Sequence, residues 1–292
     1  MSLRRGFMLA PYAPQSDIEE ALTWGPNIFR YQATTDASNP DIYSLEGYLR
    51  WLDTHIMHVD RIVVPTIRGK AVLVFDLHTP PMGLKPQTEQ SMRIYRAAWT
   101  RLAKQYNNHD VVLVFDLQNE PRGEYDKVND LMHSCVSIVR TAGNTRTRCA
   151  IASYNCDPTR FNKVIPIKVG GPVWYTPHMY IPGDFTHQGV GGRPTGVKYP
   201  TLLKGKSYLK RQLASLRKFQ VANKAVIFVG EFSASIYGKE EYRAQYISDC
   251  IDIFEEYGWH WCYHAWAESP VWNPKTLMVS KVLKNAFKRN EI

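Results

Sequence analysis

A (β/α)8 (TIM) barrel, the closed ring of eight parallel strands each followed by a helix, is the fold class that this sequence predicts. Three observations carry the prediction. Residues 72–77 and 112–117 both read Val-Leu-Val-Phe-Asp-Leu, 40 positions apart (112 − 72), which is about one strand–helix unit. Apolar runs such as 111–115 and 225–229 suit strands covered on both faces, and they alternate with helical patterns. Two such runs end in glutamates, Glu120 and Glu231, 111 residues apart (231 − 120), or 37 per unit over three units. Eight units of that size need 296 residues against the 292 present. One catalytic domain over 1–292, with no additional binding module, is the expectation.

Each element follows in order. Strand one is read at 4–9 and has no histidine, so it lacks the His-x-His of metal-dependent barrel hydrolases. Ser16 and Glu19 read as a capping box for a short helix ending near Gly25. Strand two, 27–33, carries Arg30, and a long helix follows over 44–61. Strand three is 71–78, and its helix, 87–106, places Tyr95, Trp99 and Leu102 on one face. Strand four, 111–120, stops at Pro121, which cannot continue a ladder. A helix over 126–141 is closed by Gly143, and strand five is 148–154. Strand six, 172–180, leads into a 26-residue Gly/Pro-rich connection, 181–206, a length that is usually functional. Helix 207–221, strand seven (225–231), helix 239–257, strand eight (259–266) and helix 274–287 complete the ring.

Composition narrows the function. The net charge is +9, but cations such as Lys281, Lys284 and Lys288 lie on helical patterns and read as a solvated outer ring. No nucleic-acid-binding motif accompanies them, so no nucleic-acid partner is expected. Five cysteines without a Cys-x-x-Cys argue against zinc. Cys149 and Cys156, on one predicted strand at about 3.3 Å per residue, are too far apart to bridge, and most of the cysteines read as small buried apolar residues. No run approaches a membrane span, and residues 7–10 are too short for a signal peptide's apolar core, so no membrane partner or signal peptide is expected. His55 and His58 read as surface or satisfied histidines. His260 and His264, four residues apart on a strand, span about 13 Å and do not make a metal pair. The glycines of 189–196 do not follow a strand and open a helix as a phosphate cradle would. No metal or organic cofactor is expected.

The chemistry belongs at the carboxyl ends of the strands. Two glutamates three strands apart can face each other across the mouth, which is what a glycosidase needs. A separation of roughly 5 Å would mean retention of configuration and a wider one inversion. The ordered set Arg30, His78, Asn119-Glu120-Pro121, His178-x-Tyr180, Gly230-Glu231-Phe232 and Trp266 resembles glycoside hydrolase family 5, the cellulase-like branch of the retaining barrel glycosidases. The resemblance covers essentially the whole chain. It implies Glu120 as acid/base, Glu231 as nucleophile, His78 on substrate hydroxyls and Trp266 as the floor beneath the reacting sugar.

Physical chemistry assigns the same roles. A general acid at neutral pH needs a raised pKa, so Glu120 is expected in a dry setting with little cationic company. The nucleophile must stay ionised, so Arg30 is the expected partner of Glu231, with Tyr180 donating to the same group. Asn119 is placed to donate to the sugar 2-hydroxyl and His178 to bond near Glu120. Asp76 and Asp116, inside the repeated strands, read as buried hydrogen-bonded structure. Trp272, after strand eight, is the best-placed further cleft aromatic, with Trp24, Trp174 and Tyr199 as candidates. The connection carrying His187 and Gln188 resembles a segment of some glucanase members and is expected to wall one side of the cleft.

The activity implied is a retaining endo-β-1,4-glucanase acting as a monomer on a β-linked polysaccharide or oligosaccharide. Mannan, mixed-linkage glucan, xyloglucan and exo-action are the neighbouring alternatives, and an inactive sugar-binding barrel is the remote one. The family is mostly secreted, and localisation stays open.

Overall fold

The computed structural model describes residues 2–36, 38–83, 88–167 and 171–290. Its strands are β1 (Arg5–Leu9), β2 (Ile28–Ala33), β3 (Val72–Leu77), β4 (Val112–Asp116), β5 (Arg148–Ala152), β6 (Val173–Thr176), β7 (His178–Met179), β8 (Val226–Val229), β9 (Glu231–Phe232) and β10 (His260–Trp266). Eight of these close a parallel barrel in the order β1-β10-β8-β6-β5-β4-β3-β2. The two short strands β7 and β9 extend the sixth and seventh staves past Pro177 and Gly230. They pair with each other, so His178 stands opposite Glu231.

The helices are α1 (Gln15–Leu22), α2 (Leu45–His58), α3 (Val64–Ile67), α4 (Glu89–Gln105), α5 (Tyr125–Thr141), α6 (Gly183–Thr186), α7 (Lys206–Gln212), α8 (Ala214–Asn223), α9 (Glu240–Glu256) and α10 (Leu277–Phe287). Three local expectations change. The Ser16 capping box does not form; α1 starts from Pro14, held at φ −67°, with no side-chain cap. The helix expected over 44–61 runs on through a π turn, Val59–Val63, into α3. The wider turn relieves Pro65, which lacks the N–H that a regular ladder needs. The helix expected over 207–221 is two pieces, broken at Leu213. Gln87, where the helix after strand three was expected to begin, lies outside the described residues. No helix of the described residues is long and apolar enough to cross a membrane.

Pleat alternation sorts each strand into two faces. Phe29, Tyr31, Phe75, Phe115, Ile151, Tyr175 and Tyr263 point out into the shell shared with the helices. Ile28, Val74, Val114, Ala150, Trp174, Phe228 and Cys262 fill the floor of the barrel. Two residues further along β2, β3 and β4 come Arg30, Asp76 and Asp116, all fully buried. Another step on β2 and past the end of β3 reaches Gln32 and His78. The interior is therefore layered: an apolar floor, an ionic middle and a polar mouth. All five cysteines are free and buried, as their sequence reading expected.

Candidate active site

Glu120 follows β4 at a backbone φ of 39°, the left-handed region that non-glycine residues rarely adopt. That turn, with Pro121 behind it, lifts the carboxylate off the strand line and into the mouth. Glu231 opens β9 directly after Gly230. A Cβ at Gly230 would lie 2.8 Å from Thr176 Oγ1 and 3.1 Å from His178 Nε2, so the sixth and seventh staves approach closely only because this residue is glycine. One carboxylate oxygen of each glutamate and one ring nitrogen of His178 all lie within 4.8 Å of one another. Among the described residues this is the one donor set compact enough to share an ion.

Glu231 is the more enclosed acid. Arg30 Nη1 donates to its Oε1 at 2.7 Å, and the Tyr180 hydroxyl donates to its Oε2 at 2.9 Å. Burial alone would raise Glu231, but His178, His264, Arg30 and His78 together hold it well below the usual carboxylate range. Burial and then Glu231 raise Tyr180 well above an ordinary phenol, so its hydroxyl remains a donor.

Arg30 has no freedom to leave. Its Nε bonds Asp116 at 2.9 Å, its Nη2 reaches Asp76 at 3.1 Å and donates to Asn119 Oδ1 at 2.9 Å. Asp76 and Asp116 are thus the structural groups the sequence suggested: they aim the guanidinium that faces Glu231. Burial pushes Asp116 up to about 6, against the pull of Arg30. Asp76 also bonds His78 Nδ1 at 2.7 Å, while the Asn119 amide nitrogen lies 3.2 Å from His78 Nε2. Arg30, Asn119 and His78 therefore form one connected network.

Glu120 departs from its expected setting. Its side chain is 29% exposed and its Oε1 lies 3.0 Å from His178 Nδ1, so it is neither dry nor without cationic company. Burial would lower His178, but the Cys156 sulfur, Glu231 and Glu120 around it raise it well above ordinary imidazole. The mouth is open on the Glu120 side, whereas Glu231 is more enclosed. A hollow beside it is lined by Pro80, Pro81, Asn119 and Arg122.

The aromatic expectations divide. Trp272 stands at the mouth, its ring 6.1 Å from Tyr180 and 5.2 Å from His187. His187 thus brings the long connection to the cleft, as expected. Gln188 does not face it; it is buried and bonds the Val197 and Phe185 carbonyls. Trp266 is corrected: it is fully buried, packed on Phe7 and Trp24, with the Lys275 ammonium 4.6 Å above its ring. The cause is a register shift. Phe7 pairs with Tyr263 but Leu9 pairs with Trp266, so β10 gains one residue there. A one-residue slip turns a side chain to the other face. Trp266 leaves the inward row of Cys262 and His264 and joins the shell. Trp174 lies in the apolar floor, Tyr199 is buried with its hydroxyl on Asp249 at 2.7 Å, and Trp24 packs on Phe7; none of the three lines the cleft. His55 is a buried core histidine with its Nδ1 2.8 Å from the Tyr31 hydroxyl, lowered by burial to about 3.

Sequence reasoning missed His264 and Glu268, whose Nε2 and Oε2 are 2.8 Å apart at the end of the last strand. The signal was the inward parity of His264 with Cys262, which the strand pattern alone displays.

Two carboxylic acids facing each other across the mouth of a (β/α)8 barrel, one clamped by arginine and tyrosine and one open, are the arrangement that glycoside hydrolysis calls for. The chain belongs to the cellulase family, glycosyl hydrolase family 5, whose family model matches residues 3–270. Endoglucanase C of Acetivibrio thermocellus is 24% identical over 86% of this chain and 85% of its own length. Cellodextrinase A of Ruminococcus flavefaciens is 25% identical over 63% of this chain and 56% of its own. Thermotoga maritima Cel5A, solved with cellobiose, superposes at a TM-score of 0.81 with 20% identity, covering 98% of this chain and 97% of that one. The same enzyme has been solved with mannotriose, again at a TM-score of 0.81, with 19% identity and coverage of 98% and 97%. At that identity the structural likeness speaks for the fold.

Proposed function

We propose that this chain is an endo-β-1,4-glucanase that works by double displacement with retention of configuration, acting as a single monomeric barrel. The observation that carries the reading is the approach of the two glutamates, oxygen to oxygen within 4.8 Å. That closeness supports a nucleophile and acid/base pair, whose carboxyl groups stand roughly 5–5.5 Å apart, over an inverting pair at roughly 6.5–9.5 Å. Glu231, held ionised, attacks the anomeric carbon. Glu120 protonates the leaving oxygen, then takes a proton from the water that releases the glycosyl-enzyme. Tyr180 and Arg30 keep the nucleophile aimed. Asn119, with one amide proton toward His78, has its second for the sugar 2-hydroxyl, and His78 and Trp272 line the substrate's path.

The test is covalent trapping. An activated 2-deoxy-2-fluoro β-glycoside should label Glu231; label on any other residue overturns the assignment. Glu120→Ala should lose most activity on poor leaving groups and keep part of it on activated aryl glycosides, because only the former need the proton. Equal loss on both removes the acid role. Rates on carboxymethyl-cellulose, barley mixed-linkage glucan and mannan, measured together, separate the substrates. The mannotriose complex of Thermotoga maritima Cel5A gives β-mannan standing as a second reading, and a clear preference for it would replace the glucan assignment.

A further inference from the structure

With Trp266 turned into the shell, the inward face at the end of β10 belongs to His264. The residue is 8% exposed. Its Nε2 is paired with Glu268 at 2.8 Å, and its Nδ1 is buried with no protein partner. The ring meets Tyr180 edge-on at 6.2 Å and Trp272 at 5.4 Å, so it lies between the nucleophile's hydroxyl donor and the aromatic at the rim. Beside it on β2 is Gln32, 1% exposed, its amide toward Glu268 but with neither amide atom completing a hydrogen bond of regular geometry. A buried donor or acceptor left unpaired carries the cost of its lost hydration. Here several such atoms gather at one point of the mouth, next to Glu231.

We propose that His264, held by Glu268 and flanked by Gln32, is a substrate-binding residue that donates from Nδ1 to a hydroxyl of the sugar attacked by Glu231. The reading rests on the hydrolase mechanism above and specifies what lies under its reacting sugar: a polar, hydroxyl-seeking contact where the resemblance led one to expect an aromatic floor. Only the imidazolium form donates from both nitrogens, one to Glu268 and one to the sugar. The groups facing the ring are Glu231 from β9, Glu268 from its own stave, Arg30 and Gln32 from β2, and His187, Tyr180 and Trp272 from the loops. Burial works against the charge, while Glu231 and Glu268 outweigh it and raise His264 above its ordinary 6.5. The same cation helps hold Glu231 ionised. A site that bonds a hydroxyl also rejects sugars that lack it, because the protein donor is then stranded.

The experiment measures kcat/KM on an aryl β-cellobioside across pH for the parent, His264→Phe, His264→Gln and Glu268→Gln, with thermal unfolding of each as the check on folding. His264→Phe should lose roughly tenfold to a hundredfold, the worth of one charge-assisted hydrogen bond. His264→Gln, whose amide can still donate, should recover part of that loss. Glu268→Gln should move the alkaline limb of the profile downward, since the ring loses an anion that keeps it charged. A phenylalanine variant equal to the parent, or as good as the glutamine variant, overturns the proposal, and so does an unmoved alkaline limb in Glu268→Gln. If His264→Phe does not fold, the Glu268→Gln profile decides. Fluoro-sugar labelling of Glu231 in the parent separates the two readings: label present with unaffected variants defeats only the His264 role. If label is absent, calorimetric binding of cellobiose to the parent and to His264→Phe decides the His264 role by itself, equal affinity counting against it.

Discussion

Arg30 concentrates the electrostatics of the mouth in one side chain. Its guanidinium serves Glu231, Asp76, Asp116 and Asn119 at once. Lysine keeps the charge but is a point donor without the planar fork. On the proposed mechanism Arg30→Lys should therefore lower kcat by about a hundredfold or more, with KM less affected, because what is lost is the aim and the ionisation of Glu231. The pH sign follows from Glu231, whose pKa stands well below the usual value. Activity needs the ionised form, so the acid limb lies at low pH in the parent. Weakening the cation raises Glu231, and the acid limb of kcat/KM should move to higher pH; a limb that stays put refutes the dependence. Much of this site was legible in the chain: Glu120, Glu231, Arg30, Asn119, His178 and Tyr180 are brought together as their motifs suggested. What was not legible is orientation. Nothing in the residue types says that Gln188 turns inward to bond Val197 and Phe185, or that Glu120 keeps an imidazole and an open side.

Strands were easier to read than their irregularities. Period and apolarity mark the eight staves, because burial on both faces leaves a continuous run of large apolar residues. A bulge leaves no such mark: the extra residue in β10 is ordinary in type, and only the pairing of Leu9 with Trp266 reveals it. Trp266 was placed wrongly for that reason. Strands six and seven read as continuous through Pro177 and Gly230; that the short segments beyond these residues pair with each other, setting His178 against Glu231, comes from tertiary approach. The tightest approach is at β1. A Cβ on Gly6 would lie 1.6 Å from the Ile28 carbonyl oxygen of β2 and 2.9 Å from the Ile28 side chain. Backbone on backbone cannot yield to a rotamer change, so the strand pair would have to separate. Gly6→Ala should destabilise the protein by about 4 kcal/mol or more, in the range reserved for severe overpacking. Denaturant unfolding checks it; a loss below about 1 kcal/mol would mean that β1 and β2 can separate locally at little cost.

Closure joins the two ends of the chain. β1 pairs with β2 on one side and with β10 on the other, more than 250 residues away in sequence. The joint is sealed by aromatic packing: Phe7 contacts Tyr263 and Trp266, and Phe287 of α10 lies 5.1 Å from Phe7 and stacks at 5.5 Å on Trp261. Such a joint forms only when the intervening units are in place, since its loop-closure cost is met by contacts far apart in sequence. The candidate site depends on it. Arg30 comes from β2, Glu120 from the end of β4, His178 and Glu231 from β7 and β9, and His264 from β10, so opening the ring at β1–β10 parts the groups on either side. Phe287→Ala removes a fully buried ring at the seam, distant from the mouth, and should lower stability by about 3–5 kcal/mol. Activity at low temperature should stay near the parent's. In denaturant, tryptophan fluorescence and hydrolytic rate should fall together at one lowered midpoint, because a closed barrel loses its core and its site in the same step. If fluorescence changes well before activity falls, α10 detaches while the barrel stays shut, and the seam is held by the strand ladder without it.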